Sequence, residues 1–262
     1  MEKKNIAIMK IFLMFFIIYF LFFEIGYSQP ITWYKTWGLY NRIEVGKRVV
    51  QTFEGGYAVL TLIGITGSAY SYFDLLKYDN HGNLQWIKVI VDTTSRMLID
   101  MQQTSDSGFI FAGWSYGALL IKTDKFGNFK WQRNYTNLNS GTRFWAVKQT
   151  YDSGFIACGY YTDYVNPSGK GIVIKVDTLG FVQWERQYMD SLDNSYGDVF
   201  QGNDKKYYVS GSTGNNYPSV DYAILKKLDS SGNVLWNNIF RANGGGEYHS
   251  TSGWFTDSWW VR

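Results

Sequence analysis

A tryptophan returns five times along the chain, at Trp33, Trp86, Trp131, Trp184 and Trp236, in steps of 53, 45, 53 and 52 residues. Seven residues before each of the last four stands an aspartate: Asp79, Asp124, Asp177 and Asp229. Three residues after each aspartate stands a glycine: Gly82, Gly127, Gly180 and Gly232. A fixed period near 50 with fixed internal offsets marks a repeat protein, which restricts the fold to solenoids, propellers or arrays. The recurring residues therefore read as structural members of the repeat, packing between units and touching no ligand.

Aligned on the tryptophans, the units run over about 43–91, 96–136, 142–188 and 195–240. Each opens with a short strand ending at a glutamine (Gln51, Gln103, Gln149, Gln201). A turn follows (Glu54-Gly55-Gly56, Asp106-Ser107-Gly108, Asp152-Ser153-Gly154, Asp204-Lys205-Lys206), in which the acid is expected to cap and the glycine to take positive φ. The second strand is a continuous apolar run, as in Phe109-Ile110-Phe111-Ala112, the pattern of a strand buried on both faces. A third strand ending in lysine leads into the Asp-x-x-Gly turn, spaced for a type I turn with a glycine bulge. The fourth strand alternates, with Phe129, Trp131, Arg133 and Tyr135 on one face, so it is half-buried.

Four antiparallel strands per unit, with the outermost half solvated, predict an all-β protein: a β-propeller of four-stranded blades. Residues 31–37 resemble a lone fourth strand, and 242–262 leave the pattern. Four complete blades plus one extra strand suggest an open, incomplete propeller lacking blades of a longer chain, with a closed ring of four or five blades as the alternative.

Lys3, Lys4 and Lys10 precede an apolar run over 11–23, and Gly26-Tyr27-Ser28 supplies small residues before Gln29. This predicts a signal peptide over 1–28, a secreted or cell-surface location, and no membrane span after cleavage. A net charge of +3 with interspersed signs gives no support for nucleic acid as a partner. The single cysteine, Cys158, excludes an internal disulfide framework and sits in an apolar run where a buried, inert thiol is expected.

The consensus Gln-Thr-x-Asp-x-Gly-Phe-Ile-x-Ala-Gly, then Leu-Ile-Lys-x-Asp-x-x-Gly-Asn-x-x-Trp, resembles the propeller-like repeats of secreted and surface proteins of the Bacteroidetes, best over 103–135 and 149–188. The resemblance covers essentially the whole chain after residue 28 and implies architecture more than activity. Many such proteins carry a C-terminal sorting domain, which this sequence does not show. The Asp-turn-Gly-x-x-x-Trp pattern is also distantly similar to quinoprotein propeller repeats. That family's paired-cysteine ring needs two cysteines, so no cofactor is carried over.

Catalytic and metal readings find little support. Each Asp-x-x-Gly turn offers one carboxylate, fewer than calcium requires, so a turn-capping role is expected. His81 and His249 are far apart and suggest neither a triad nor a zinc site. The units differ mainly between their second and third strands, over 63–72, 114–117, 160–171 and 212–222. Variable loops on a rigid scaffold carry function. These hold Tyr70, Tyr72, Trp114, Tyr116, Tyr160, Tyr161, Asp163, Tyr164, Asn215, Asn216, Tyr217 and Asp221, a mixture suited to glycans or protein partners. The sequence thus predicts a non-enzymatic binding or scaffold module for a glycan or surface protein. An enzyme acting on extracellular polysaccharide and an inert fragment of a larger surface protein are the alternatives.

Overall fold

The structure, a computed structural model, describes Gly38 and residues 42–65, 71–91, 96–135, 141–162, 169–189, 193–216 and 219–240. The chain divides into two compact units, Met1–Thr36 and Trp37–Arg262, and every described residue belongs to the second. The expected signal peptide, Trp33 with its strand over 31–37, and the tail over 242–262 lie outside the described residues. Among the described residues no helix is long and apolar enough to cross a membrane.

All the regular elements described are strands, in four antiparallel four-stranded sheets, each in sequence order. Blade one contains β1 (Arg42–Gln51), β2 (Tyr57–Ile65), β3 (Ser71–Tyr78) and β4 (Leu84–Val91). Blade two contains β5 (Met97–Gln103), β6 (Phe109–Trp114), β7 (Ala118–Thr123) and β8 (Phe129–Tyr135). Blade three contains β9 (Arg143–Gln149), β10 (Phe155–Tyr161), β11 (Lys170–Val176) and β12 (Val182–Tyr188). Blade four contains β13 (Asp193–Gln201), β14 (Tyr207–Asn216), β15 (Ser219–Leu228) and β16 (Val234–Phe240). The opening strands neighbour one another in succession, β1 beside β5, β5 beside β9 and β9 beside β13, so the fourth strands are outermost. This is the four-bladed β-propeller architecture that the repeat predicts.

The apolar second strands follow from this stacking. Side chains alternate across a strand, and here each face meets a different blade. Phe109 and Phe111 pack with Leu60 and Phe73 of blade one, whereas Ile110 and Ala112 pack with Phe155 and Ile172 of blade three. Phe155 and Ala157 likewise join the core between blades two and three, while Ile156 and Cys158 join the core between blades three and four. Cys158 is fully buried, and burial pushes its thiol pKa well up, as an inert thiol requires.

Each Asp-x-x-Gly turn is closed by its aspartate. Asp124 Oδ1 accepts from Phe126 N and Asn128 N, both at 2.8 Å, and Asp79, Asp177 and Asp229 repeat the arrangement. The turn glycine is left-handed, with φ of 80° at Gly180 and similar values at Gly82, Gly127 and Gly232.

The other tight turn departs from expectation. In blade one Gly55 takes the positive φ (86°), as expected, but in the other three blades it falls on Ser107 (61°), Ser153 (64°) and Lys205 (58°), one position before Gly108, Gly154 and Lys206. Glycine is needed at 108 for a different reason: a Cβ there would lie 2.3 Å from the Thr123 carbonyl oxygen. Left-handed backbone costs a non-glycine residue about 1–2 kcal/mol, part of which glycine's greater unfolded freedom cancels. Lys205→Gly is therefore expected to stabilise the protein by about 0.5 kcal/mol, read as a raised thermal midpoint.

Four clasps recur between or within blades. The tryptophan indole lies over the turn glycine of the next blade and donates to a turn carbonyl: Trp131 Nε1 to Thr178 O at 3.1 Å and Trp184 Nε1 to Ser230 O at 2.9 Å. Four residues on, Tyr135 and Tyr188 donate their hydroxyls to the carbonyls of Gly180 and Gly232. The strand-ending glutamine accepts from the preceding blade's turn, Phe53 N to Gln103, Ser105 N to Gln149 and Tyr151 N to Gln201, while its amide holds its own turn. Within each blade the third-strand lysine crosses to the first turn's acid: Lys77 to Glu54, Lys122 to Asp106, Lys175 to Asp152 and Lys227 to Asp204.

Trp236 breaks the rule that every repeat tryptophan packs between blades. It is 38% exposed, and Phe240 is 55% exposed where Tyr135 and Tyr188 are 7% and 9%. No fifth blade lies beyond it among the described residues.

The lysine clasps set an acid limit. Burial works to raise the Asp106 pKa, but the Thr104 hydroxyl, Lys130 and Lys122 outweigh it and hold the carboxyl well below its ordinary range. At Asp152, Thr150 and Lys175 likewise outweigh burial, and Lys227 brings Asp204 down to about 2. Depressed carboxyl pKa values contribute stability that is present above the unfolded value, near 3.9, and lost as pH falls through the folded one. The urea midpoint is expected to fall steadily from about pH 4 towards pH 2, with a shallower slope in Asp106→Asn.

Candidate binding site

At the end of the blades where second strands hand over to third strands, blades two and three bring three side chains together. Trp114 closes β6, while Arg143 opens β9 and Trp145 follows it two residues on. Antiparallel pairing sets Arg143 opposite Tyr160 at the end of β10. The Trp114 and Trp145 rings meet edge to face at 5.3 Å, and the Arg143 guanidinium lies over the Trp114 ring at 5.0 Å. Cation–π contact of this kind contributes about 0.5–1 kcal/mol at an exposed site.

Tyr116 projects from the three-residue loop after Trp114 and is 71% exposed. The Tyr160 ring rests on Gly169, whose N–H donates to Asp193 Oδ1 at 2.8 Å. Tyr161 carries Lys170 over its ring at 5.6 Å. Trp145 Nε1 is buried and finds no acceptor, and Arg143 forms no ion pair among the described residues. The arrangement therefore offers aromatic faces and a guanidinium without a carboxylate. Sugar rings, with their apolar faces and hydroxyl rims, match such a surface.

Of the sequence candidates, Trp114 forms this site and Tyr116 lies in the loop that follows it. Tyr161 packs against the core shared by blades two and three, whereas the Tyr160 ring rests on Gly169 on the side of blade four. Asp163, Tyr164, Tyr217 and Tyr70 lie outside the described residues. Tyr72 lies in blade one, where its hydroxyl accepts from Arg42. The assignment of 63–72, 160–171 and 212–222 to loops needs correction. β2 extends to Ile65, β10 to Tyr161 and β14 to Asn216, so Asn215, Asn216 and Asp221 are strand residues of blade four. Their ladder continues to the Asn216↔Ser219 pair. Backbone pairing satisfies the same groups whatever the side chains, so a polar sequence does not end a hairpin.

Arg143 and Trp145 escaped the sequence reading because attention fell on the connections between second and third strands. Counting back along the ladder from Gln149↔Phe155 would have set Arg143 near Tyr160. His81 is an exposed turn residue whose N–H donates to Asp79, and His249 is outside the described residues. The most unusual acid is Asp74, a buried carboxyl at a position filled by Leu119, Ile172 and Ile224 in the other blades. Burial raises its pKa, Arg42 opposes that and Glu44 adds to it.

No protein-family model and no curated protein matches the sequence. Among solved structures, the chain is similar to a protein of unknown function from Bacteroides caccae, with 7% identity, a TM-score of 0.45, and coverage of 77% of this chain and 84% of that one. It is also similar to the Pan2 WD40 domain of Neurospora crassa, with 13% identity, a TM-score of 0.44, and coverage of 74% of this chain and 66% of that one. Both likenesses are too distant to bear on function, and the class rests on the blades themselves: this is a β-propeller repeat protein.

Proposed function

We propose that the chain is a secreted or cell-surface binding module without catalytic activity of its own, and that it holds a glycan at the Trp114–Arg143–Trp145 site. The observation that carries this reading is the guanidinium stacked on Trp114 beside the exposed Tyr116, at the end of the blades where the units differ most. A propeller fits the role of a scaffold, because uniform blades fix the position of variable strand ends.

Affinity electrophoresis of the purified chain through gels cast with plant, algal or bacterial polysaccharides tests it. Retardation by at least one polymer is expected, with Trp114→Ala weakening binding by about tenfold, as for loss of an aromatic anchor. Retardation unchanged in Trp114→Ala would remove the site, and sugar release from any polymer would favour an enzyme. Mass spectrometry of the exported protein is expected to find Gln29 as the first residue.

A further inference from the structure

Five of the six arginines among the described residues are engaged by the fold. Arg48 meets Asp100, Arg42 and Arg96 donate to the side chains of Tyr72 and Gln132, and Arg133 and Arg186 donate to backbone carbonyls. Arg143 is the exception. Its guanidinium lies over the Trp114 ring at 5.0 Å, and none of its N–H groups reaches an acceptor among the described residues. Stacking occupies the flat face of a guanidinium and leaves its fork of donors free.

Lys170 repeats the situation two strands further out. It opens β11 as Arg143 opens β9, so the two flank the closing residues of β10 at one end of blade three. Twice the strand spacing sets their backbones about 10 Å apart. The Lys170 ammonium lies over the Tyr161 ring at 5.6 Å and forms no ion pair among the described residues, whereas Lys77, Lys122, Lys175 and Lys227 each reach a carboxylate. Tyr161 packs on the core that blades two and three share, and Trp114 meets Trp145 across the same seam. Asp193, the acid that opens β13, accepts from Gly169 N at 2.8 Å. Both cations are half-buried. Each has therefore given up part of its hydration without gaining a counter-charge from the described residues, and an aromatic ring is a weaker partner than a carboxylate.

We propose that the sugar held at this seam is an acidic one, an inference that rests on the site holding a glycan at all. Its carboxylate or sulfate accepts from the Arg143 fork, its ring lies against the neighbouring aromatics, and Lys170 draws a second acidic group of the same polymer. A neutral sugar would use the aromatic surfaces and leave both cations uncompensated. An acidic one supplies what the described part of the chain withholds from them. The planar guanidinium pairs with such a group through two parallel hydrogen bonds, so the contact fixes orientation as well as charge.

Biolayer interferometry of the full chain tests the acid separately from the sugar. The immobilised polymers are polygalacturonate, its methyl-esterified form, dextran sulfate, dextran and polyglutamate. The wild type is expected to bind polygalacturonate or dextran sulfate at least about tenfold more tightly than the matching neutral polymer, as for one charge-assisted contact. Which of the two it prefers tells carboxylate from sulfate. Arg143→Gln is expected to weaken that binding by about tenfold with an unchanged circular dichroism spectrum, and Arg143→Lys, which keeps the charge but not the fork, to recover only part of it. Should Arg143→Gln misfold, Lys170→Gln replaces it, with a loss of about threefold expected for a single point charge. Equal binding to the acidic and neutral polymers overturns the proposal and leaves the glycan site standing, provided Trp114→Ala still weakens it. Polyglutamate bound as tightly as the acidic polysaccharides overturns it too, because charge without sugar would then suffice. So does acidic binding that Arg143→Gln leaves unchanged. A wild type that binds no polysaccharide, acidic or neutral, removes both the acidic sugar and the glycan site.

Discussion

Trp131→Ala is expected to lower the unfolding free energy by about 3 kcal/mol, the low end for truncating a core tryptophan. The low end applies because the ring is only partly buried. Three losses combine. The indole leaves an edge-to-face contact with Phe155 at 5.9 Å, gives up its bond to Thr178 O, and uncovers Gly180, whose missing Cβ lets the ring lie flat on the turn. Nothing in the alanine variant refills the space, because the turn is held in place by its own aspartate. Trp236→Ala is the internal control. The same residue at the same repeat position lacks a following blade among the described residues, and its removal is expected to cost less than about 1 kcal/mol. Urea unfolding of both variants measures the difference. Equal effects would show that the tryptophan acts within its own blade.

Asp100→Ala is the second large effect, at about 3–5 kcal/mol, as for breaking a buried ion pair. The carboxylate is 4% exposed and joins three blades: it meets Arg48 of blade one and accepts from Val147 N and Lys148 of blade three. Its loss takes a carboxylate from two cations and strands a buried backbone N–H, and an unsatisfied buried group costs more than the bond was worth. Asp100→Asn keeps the shape and one acceptor but not the charge, so it is expected to recover about a third of the loss. Chemical denaturation at neutral pH and low salt reads both. A loss below about 1 kcal/mol would place these ion pairs in solvent.

These two sites differ in how far the sequence exposed them. The recurrence of Trp131 every 50 or so residues made its structural role legible, because a contact repeated in every blade leaves a periodic trace. Asp100 leaves none: its equivalents are Arg48, Ala146 and Asp198, and only the stacking of opening strands turns those unlike residues into a ladder. The same holds for the candidate site. Trp114 was visible as a departure from the repeat, whereas Arg143 and Trp145 sit in an ordinary opening strand and join it only when blades two and three pack. The positive φ at Ser107 was misplaced for a related reason, since the glycine beside it is required by a carbonyl across the hairpin, not by its own turn.

The sequence by itself determined the number of units, the order of strands in each, the capped Asp-x-x-Gly turns and the buried cysteine. Those features depend on contacts within one unit, or on contacts that recur at a fixed offset. Only the tertiary structure decided which face of each strand meets which neighbour, where the charges meet, and which aromatics share a surface. Those depend on side chains about fifty residues apart whose identities change from blade to blade, so no pattern along the chain records them.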